Sequence, residues 1–141
     1  MTHRRPRHAD GGSIAVEMAF AVPALLLVFG LIFAYGRVAQ VNGTLEAGTR
    51  DAARAATISR SYDEAVQRAN AAVREAMAGS PDCLGSLSVS VSRNFEAGEP
   101  ITVDSTCTYS LADIGLPGGL GRVTPHSTFT SMLDPNRGVE R

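Results

Sequence analysis

The stretch GGSIAVEMAFAVPALLLVFGLIF, Gly11 to Phe33, decides how this chain is read. From Met18 to Tyr35 there are eighteen residues without a charge or a strongly polar side chain. At 1.5 Å per residue such a run makes about 27 Å of helix, close to the ~30 Å hydrocarbon core of a bilayer. Extending it back to Ile14 covers the remainder, and a transmembrane helix is assigned to residues 13–36. Within it, Pro23 removes one backbone donor and crowds the carbonyl of Ala19, so a helix kink is expected there. Glu17 is out of place. A carboxylate at bilayer depth costs roughly 2.5–3.5 kcal/mol on insertion scales, which asks for a reason.

The alternative for this run is a cleaved secretory signal, with Ala34-Tyr35-Gly36 as a small-x-small cleavage site. The apolar region of such signals usually runs about 7–15 residues, and the length here favours a retained span. Arg4, Arg5 and Arg7 precede it, so the positive-inside rule keeps the N-terminus in the cytoplasm and exports everything from Arg37 onward.

The remaining composition is that of an ordinary folded protein. The 141 residues leave room for one modest domain, and mean hydropathy is near zero because it averages two unlike parts. Thirteen Arg, no Lys and fourteen acidic residues give a net charge of −1. That balance excludes a nucleic-acid-binding chain driven by bulk positive charge.

Beyond the span the pattern stays helical, and residues 37–80 are read as extracytoplasmic amphipathic helices. Val38, Val41, Leu45, Gly48, Ala52 and Ala55 recur every three to four residues on one face, with Arg50 and Arg54 beside them. Gly43 and Gly48 weaken this stretch by about 1 kcal/mol each relative to Ala, so a bend is expected. A new helix begins at SYDE, where Ser61 and Glu64 have the spacing of a capping box. Tyr62, Val66, Ala69, Val73 and Met77 form its apolar face, and Gly79-Ser80-Pro81 ends it.

Residues 81–134 change to period two. LSVSVS (Leu87–Ser92), ITVDSTCTYSL (Ile101–Leu111) and HSTFTSML (His126–Leu133) each read as a strand, with NFEAGEP and GLPGGLG as connections. The fold class is α+β: a long N-terminal transmembrane helix, amphipathic helices, and a small antiparallel sheet of about three strands packed on them. Residues 135–141 read as a flexible tail. Cys83 and Cys107 both fall in the part assigned to the outside, and an even pair in an oxidising compartment reads as a disulfide. The alternative is two buried thiols.

No constellation for chemistry emerges. His3 and His8 lie in the leader, His126 stands alone near a proline, and the two cysteines lack zinc spacing. Gly115–Gly121 lacks the Lys-Ser/Thr of a phosphate loop. The acids are scattered over solvent faces without a partner histidine, so catalysis, cofactor and metal are not expected.

What remains distinctive is the junction: a basic leader at residues 1–12, then Ser13, then Glu17 and the apolar helix. This resembles the processing site of class IV prepilins, which a membrane-embedded aspartic peptidase cuts after glycine. The resemblance implies cleavage between Gly12 and Ser13, with Glu17 as the fifth residue of the mature chain. The wider stretch, Gly11–Phe33, resembles the TadE-like family, minor pseudopilins of the tight-adherence (Tad) pilus system. GTRDAARAAT (Gly48–Thr57), the Ala-rich middle helix and STFTSMLDP are similar to that family as well. The resemblance implies a non-enzymatic subunit whose partners are the membrane, a prepilin peptidase, and other pilins and pseudopilins reached through the N-terminal helix. Glu17 would then be an assembly residue, facing the new α-amine of a neighbour. The alternative is an uncleaved single-pass envelope anchor with an exported binding domain.

Overall fold

A computed structural model describes residues 11–112 and 121–135. Most of the basic leader, all of the Gly115–Gly121 connection but Gly121, and the C-terminal tail from residue 136 lie outside the described residues.

Helix α1, Gly11–Thr57, is 47 residues of unbroken helix, about 70 Å at 1.5 Å per residue. It passes through Pro23, Gly30, Gly36 and Gly43 without interruption, so the span and the first amphipathic helix are one rod. Its two halves have different surroundings. Residues 14–33 are exposed on nearly every side, whereas from Val41 onward one face is covered. That face is Val41, Leu45, Gly48, Ala52, Ala53 and Ala56. Its upper end is displaced slightly from the expected one, since Ala55 is only half-buried.

Helix α2, Tyr62–Ala76, folds back along the upper half of α1 and buries Ala65, Ala69, Val73 and, just beyond its end, Met77. Small side chains on both helices permit close packing. The closest point is Gly48, where an added Cβ would lie 2.7 Å from the Ala76 Cβ and 3.5 Å from the Val73 Cα. The glycine serves this approach and does not interrupt the helix.

Ser61 caps α2 as expected, its hydroxyl accepting from the Glu64 N–H at 3.3 Å. The reciprocal arm differs: Glu64 Oε2 accepts the backbone N–H of Arg60 at 2.8 Å, one residue further back than a capping box requires. Arg68 pairs with the same carboxylate at 2.7 Å. The Arg60 N–H, aided by Arg68, holds the Glu64 carboxyl below its ordinary pKa, against some desolvation. The folded-state value is thus the lower one. Its contribution is present above the unfolded carboxylate pKa and is lost as pH falls through the folded one. Ser61→Ala is expected to cost about 1 kcal/mol, read as a lower melting temperature of the domain with the folded spectrum unchanged.

A single 3-10 turn, Met77–Gly79, follows, and then a short helix α3, Pro81–Gly85. Pro81 thus ends one helical stretch and begins the next, at the position where its missing N–H is not needed.

The sheet has β1 (Ser88–Val91), β2 (Pro100–Thr106) and β5 (His126–Met132), all antiparallel with β2 in the centre. Val91, Val103 and Phe129 lie in register across it. Ile101, Val103 and Ser105 are buried, while Thr102, Asp104 and Thr106 between them are half-buried, the alternation the sequence announced. β2 and β5 pack on α1, and β1 packs on α2. A buried polar link crosses this interface: Thr49 donates to the Leu45 carbonyl at 2.7 Å, and the Ser105 hydroxyl meets Thr49 Oγ1. On α2, the Tyr62 hydroxyl donates to the Val91 carbonyl at 3.1 Å, and its ring stands edge-on to Phe95.

The expected strand Ile101–Leu111 is two strands. β2 stops at Thr106, and β3 (Tyr109–Ser110) pairs separately with β4 (Arg122–Val123). The cause lies on the opposite strand. Pro125 has no N–H to give to the ladder, while its carbonyl accepts from the Thr106 hydroxyl at 3.0 Å and the Cys107 N–H at 3.4 Å. Cys83 and Cys107 are joined as a disulfide, with Cα atoms 5.1 Å apart, and both are fully buried. The bond ties α3 to the break between β2 and β3.

Candidate functional site

The lower half of α1 is the feature that a folded domain alone does not explain. Its most apolar stretch is long enough to cross a membrane, and none of it is buried within the molecule. Phe20 is 75% exposed and Phe33 70%, with Val16, Leu26 and Ile32 near 60%. These positions point around the whole circumference of a helix that is long and apolar enough to cross a membrane.

Glu17 stands on this exposed surface. Among the described residues its side chain has no ion pair or hydrogen bond. The Gly12–Ser13 peptide lies in the first turn of α1, and Glu17 follows Ser13 by four residues, about 6 Å along the axis. Pro23 sits a further turn and a half along, inside the continuous helix. These four residues are thus on one helix, while Cys83 and Cys107 lie apart from them in the domain core.

The structure adds residues that the sequence did not single out. Leu111, just past β3, lines an apolar groove of about 200 Å³ with Leu31, Ala34, Tyr35 and Val38 of α1. Ala34 is only 4% exposed there, between Phe33 and Tyr35, each 70% exposed. The run MAFAVPALLLVFGLIFAY gives no hint that one of its alanines is covered by the domain. Tyr109, two residues before Leu111, is buried, and among the described residues its hydroxyl has no hydrogen-bond partner. Burial raises its pKa above the ordinary phenol value, with Arg37 acting in the opposite sense.

Asp104 and His126, expected to be unrelated, face each other across β2 and β5. His126 Nε2 lies 3.8 Å from Asp104 Oδ1, and the Thr128 hydroxyl donates to the same oxygen. Both side chains are substantially exposed, so the pair is a rim contact of small energetic weight. Among the described residues no three His, Cys, Asp or Glu side chains gather as a metal site would require.

The fold is therefore a stalked α+β protein, whose single apolar N-terminal helix is compatible with a single-pass membrane anchor. Residues 12–54 match the family model of TadE-like protein. The match begins at Gly12 and ends at Arg54, so it covers α1 almost entirely and leaves α2 and the sheet outside. It supports the resemblance to the TadE-like family on the helix that carries it, and it suggests a Tad pilus-associated protein. No curated protein and no solved structure matches the chain.

Proposed function

We propose that this chain is a membrane-anchored minor pseudopilin that takes part in assembling a Tad-type pilus or secretion machine. The observation that carries the reading is the TadE-like match from Gly12 onward, on a helix whose apolar residues 14–33 are left almost wholly uncovered by its own domain. In this reading the leader stays in the cytoplasm and the sheet domain is exported. A prepilin peptidase cuts between Gly12 and Ser13, and the helix docks among the helices of other pilins. The role is structural and not enzymatic.

Glu17 then has a physical reason. Cleavage creates an α-amine with an ordinary pKa near 7.7–8.0, cationic at neutral pH. A carboxylate alone among lipid chains is unfavourable, while the same carboxylate paired with a neighbour's amine is neutralised and fixes the register of the two helices. Among the described residues the Glu17 side chain has no partner, and its exposed position leaves it free to meet a neighbour's amine on docking. The test is Glu17→Leu in the native organism. Expected are normal membrane insertion and normal folding of the domain, with loss of the subunit from the assembled pilus fraction. Undiminished incorporation of the variant would overturn the role given to Glu17.

A further inference from the structure

The base of the sheet domain meets α1 within the apolar run, below the first charge that follows it. Arg37 is that charge. Ala34 lies three residues before it and Leu31 six, about 4.5 Å and 9 Å along the helix axis. Leu111 shares a groove with both. The strand geometry accounts for this depth. Pro125, His126 and Phe129 line a cleft with Asn42, Leu45 and Arg50, so Thr106, paired with His126, is level with the part of α1 near Asn42. From Thr106 the chain continues for five more residues, roughly 16 Å when extended, and ends against Leu31 and Ala34.

The apolar run matches the hydrocarbon thickness, and Tyr35 at its end is the residue type found at membrane interfaces. With Tyr35 at that level, Leu31 and Ala34 belong to the outermost turns of the hydrocarbon layer. Whatever shares their groove is at the same depth. The groove is lined by Leu31, Ala34, Tyr35, Val38 and Leu111, and it opens directly onto the exposed lipid-seeking surface of the stem.

We propose that the β3 end of the sheet domain is a lipid-contact surface: Leu111, with Leu31, Ala34, Tyr35 and Val38, is seated at the boundary between acyl chains and headgroups, and phospholipid fills the groove. This rests on reading α1 as the membrane span. The domain then rests on the bilayer and does not stand clear of it on a bare stalk.

The absence of tryptophan from the sequence makes the test direct. Single tryptophans are placed by Leu111→Trp, Leu26→Trp and Phe129→Trp in the full chain, reconstituted at low protein-to-lipid ratio in phosphatidylcholine vesicles with or without brominated acyl chains. Leu26→Trp reports the span itself, and Phe129→Trp reports the part of the sheet level with Arg50. The expected result is loss of emission by bromine near the headgroup for Leu111→Trp, loss by deep bromine for Leu26→Trp, and no loss for Phe129→Trp. Unquenched, red-shifted emission from Leu111→Trp while Leu26→Trp is quenched would overturn the lipid contact and leave the span intact. Absence of quenching at Leu26 would overturn the span and the contact together. Should Leu111→Trp lower the melting temperature, Ala112→Trp on the exposed neighbouring residue takes its place, with the same two outcomes.

Discussion

Replacing Gly48 by valine is expected to lower the stability of the folded domain by about 1–3 kcal/mol, although it removes a glycine from the middle of a helix. Helix propensity alone pulls the other way, since glycine is about 1 kcal/mol worse than alanine at such a site and modestly worse than valine. Packing decides the sign. The first atom of any side chain at position 48 would lie 2.7 Å from the Ala76 Cβ, a methyl fixed to helix α2 that has no rotamer by which to withdraw. To relieve the contact α2 must move away from α1, which opens the contacts of Ala69 and Val73 behind it. Thermal unfolding of the purified full chain in detergent, followed by circular dichroism, measures the effect. Gly43→Val is the matched control, because nothing lies within 4 Å of a Cβ at that position. Equal melting temperatures for the two variants would show that α1 and α2 do not approach as described.

The double variant Cys83→Ala/Cys107→Ala is expected to lose about 3–4 kcal/mol, the chain-entropy figure for a loop of this length. The bond closes the loop across a separation of 24 residues, and that loop contains β1, β2 and the connection between them. It also anchors the point where Pro125 interrupts the ladder, so backbone hydrogen bonds have less to offer there. Both sulfurs are buried, hence reductant should act only on the unfolded chain. The expected sequence is a large fall in melting temperature for the variant, and little effect of reductant on the native protein at low temperature. A variant as stable as the parent would remove the disulfide from the account of stability.

Much of this fold was legible because its signals are strong and local. Eighteen apolar residues have few readings, Ser61 and Glu64 carry their own helix start, and the alternation at Ile101, Val103 and Ser105 survives intact in β2. What escaped depended on partners distant in sequence. Alanine and glycine give little hydrophobic contrast, so the covered face of α1 drifted from Ala55 to Ala53 and Ala56, and the close approach at Gly48 read as weakness. The break after Thr106 required knowing that Pro125 would stand opposite. At the candidate site, Glu17 and Gly12-Ser13 could be singled out by chemistry and spacing. The cover over Ala34 could not, since nothing in TYSL says which turn of α1 Leu111 will meet.

The central claim is that the stem is a prepilin stem, and the N-terminal residue of the protein recovered from the membrane of its own organism tests it most directly. The account predicts a chain that begins at Ser13, with Glu17 fifth in the mature protein. A chain that retains its leader in the assembled machine, or one that begins near Arg37 with the stem removed, would contradict it.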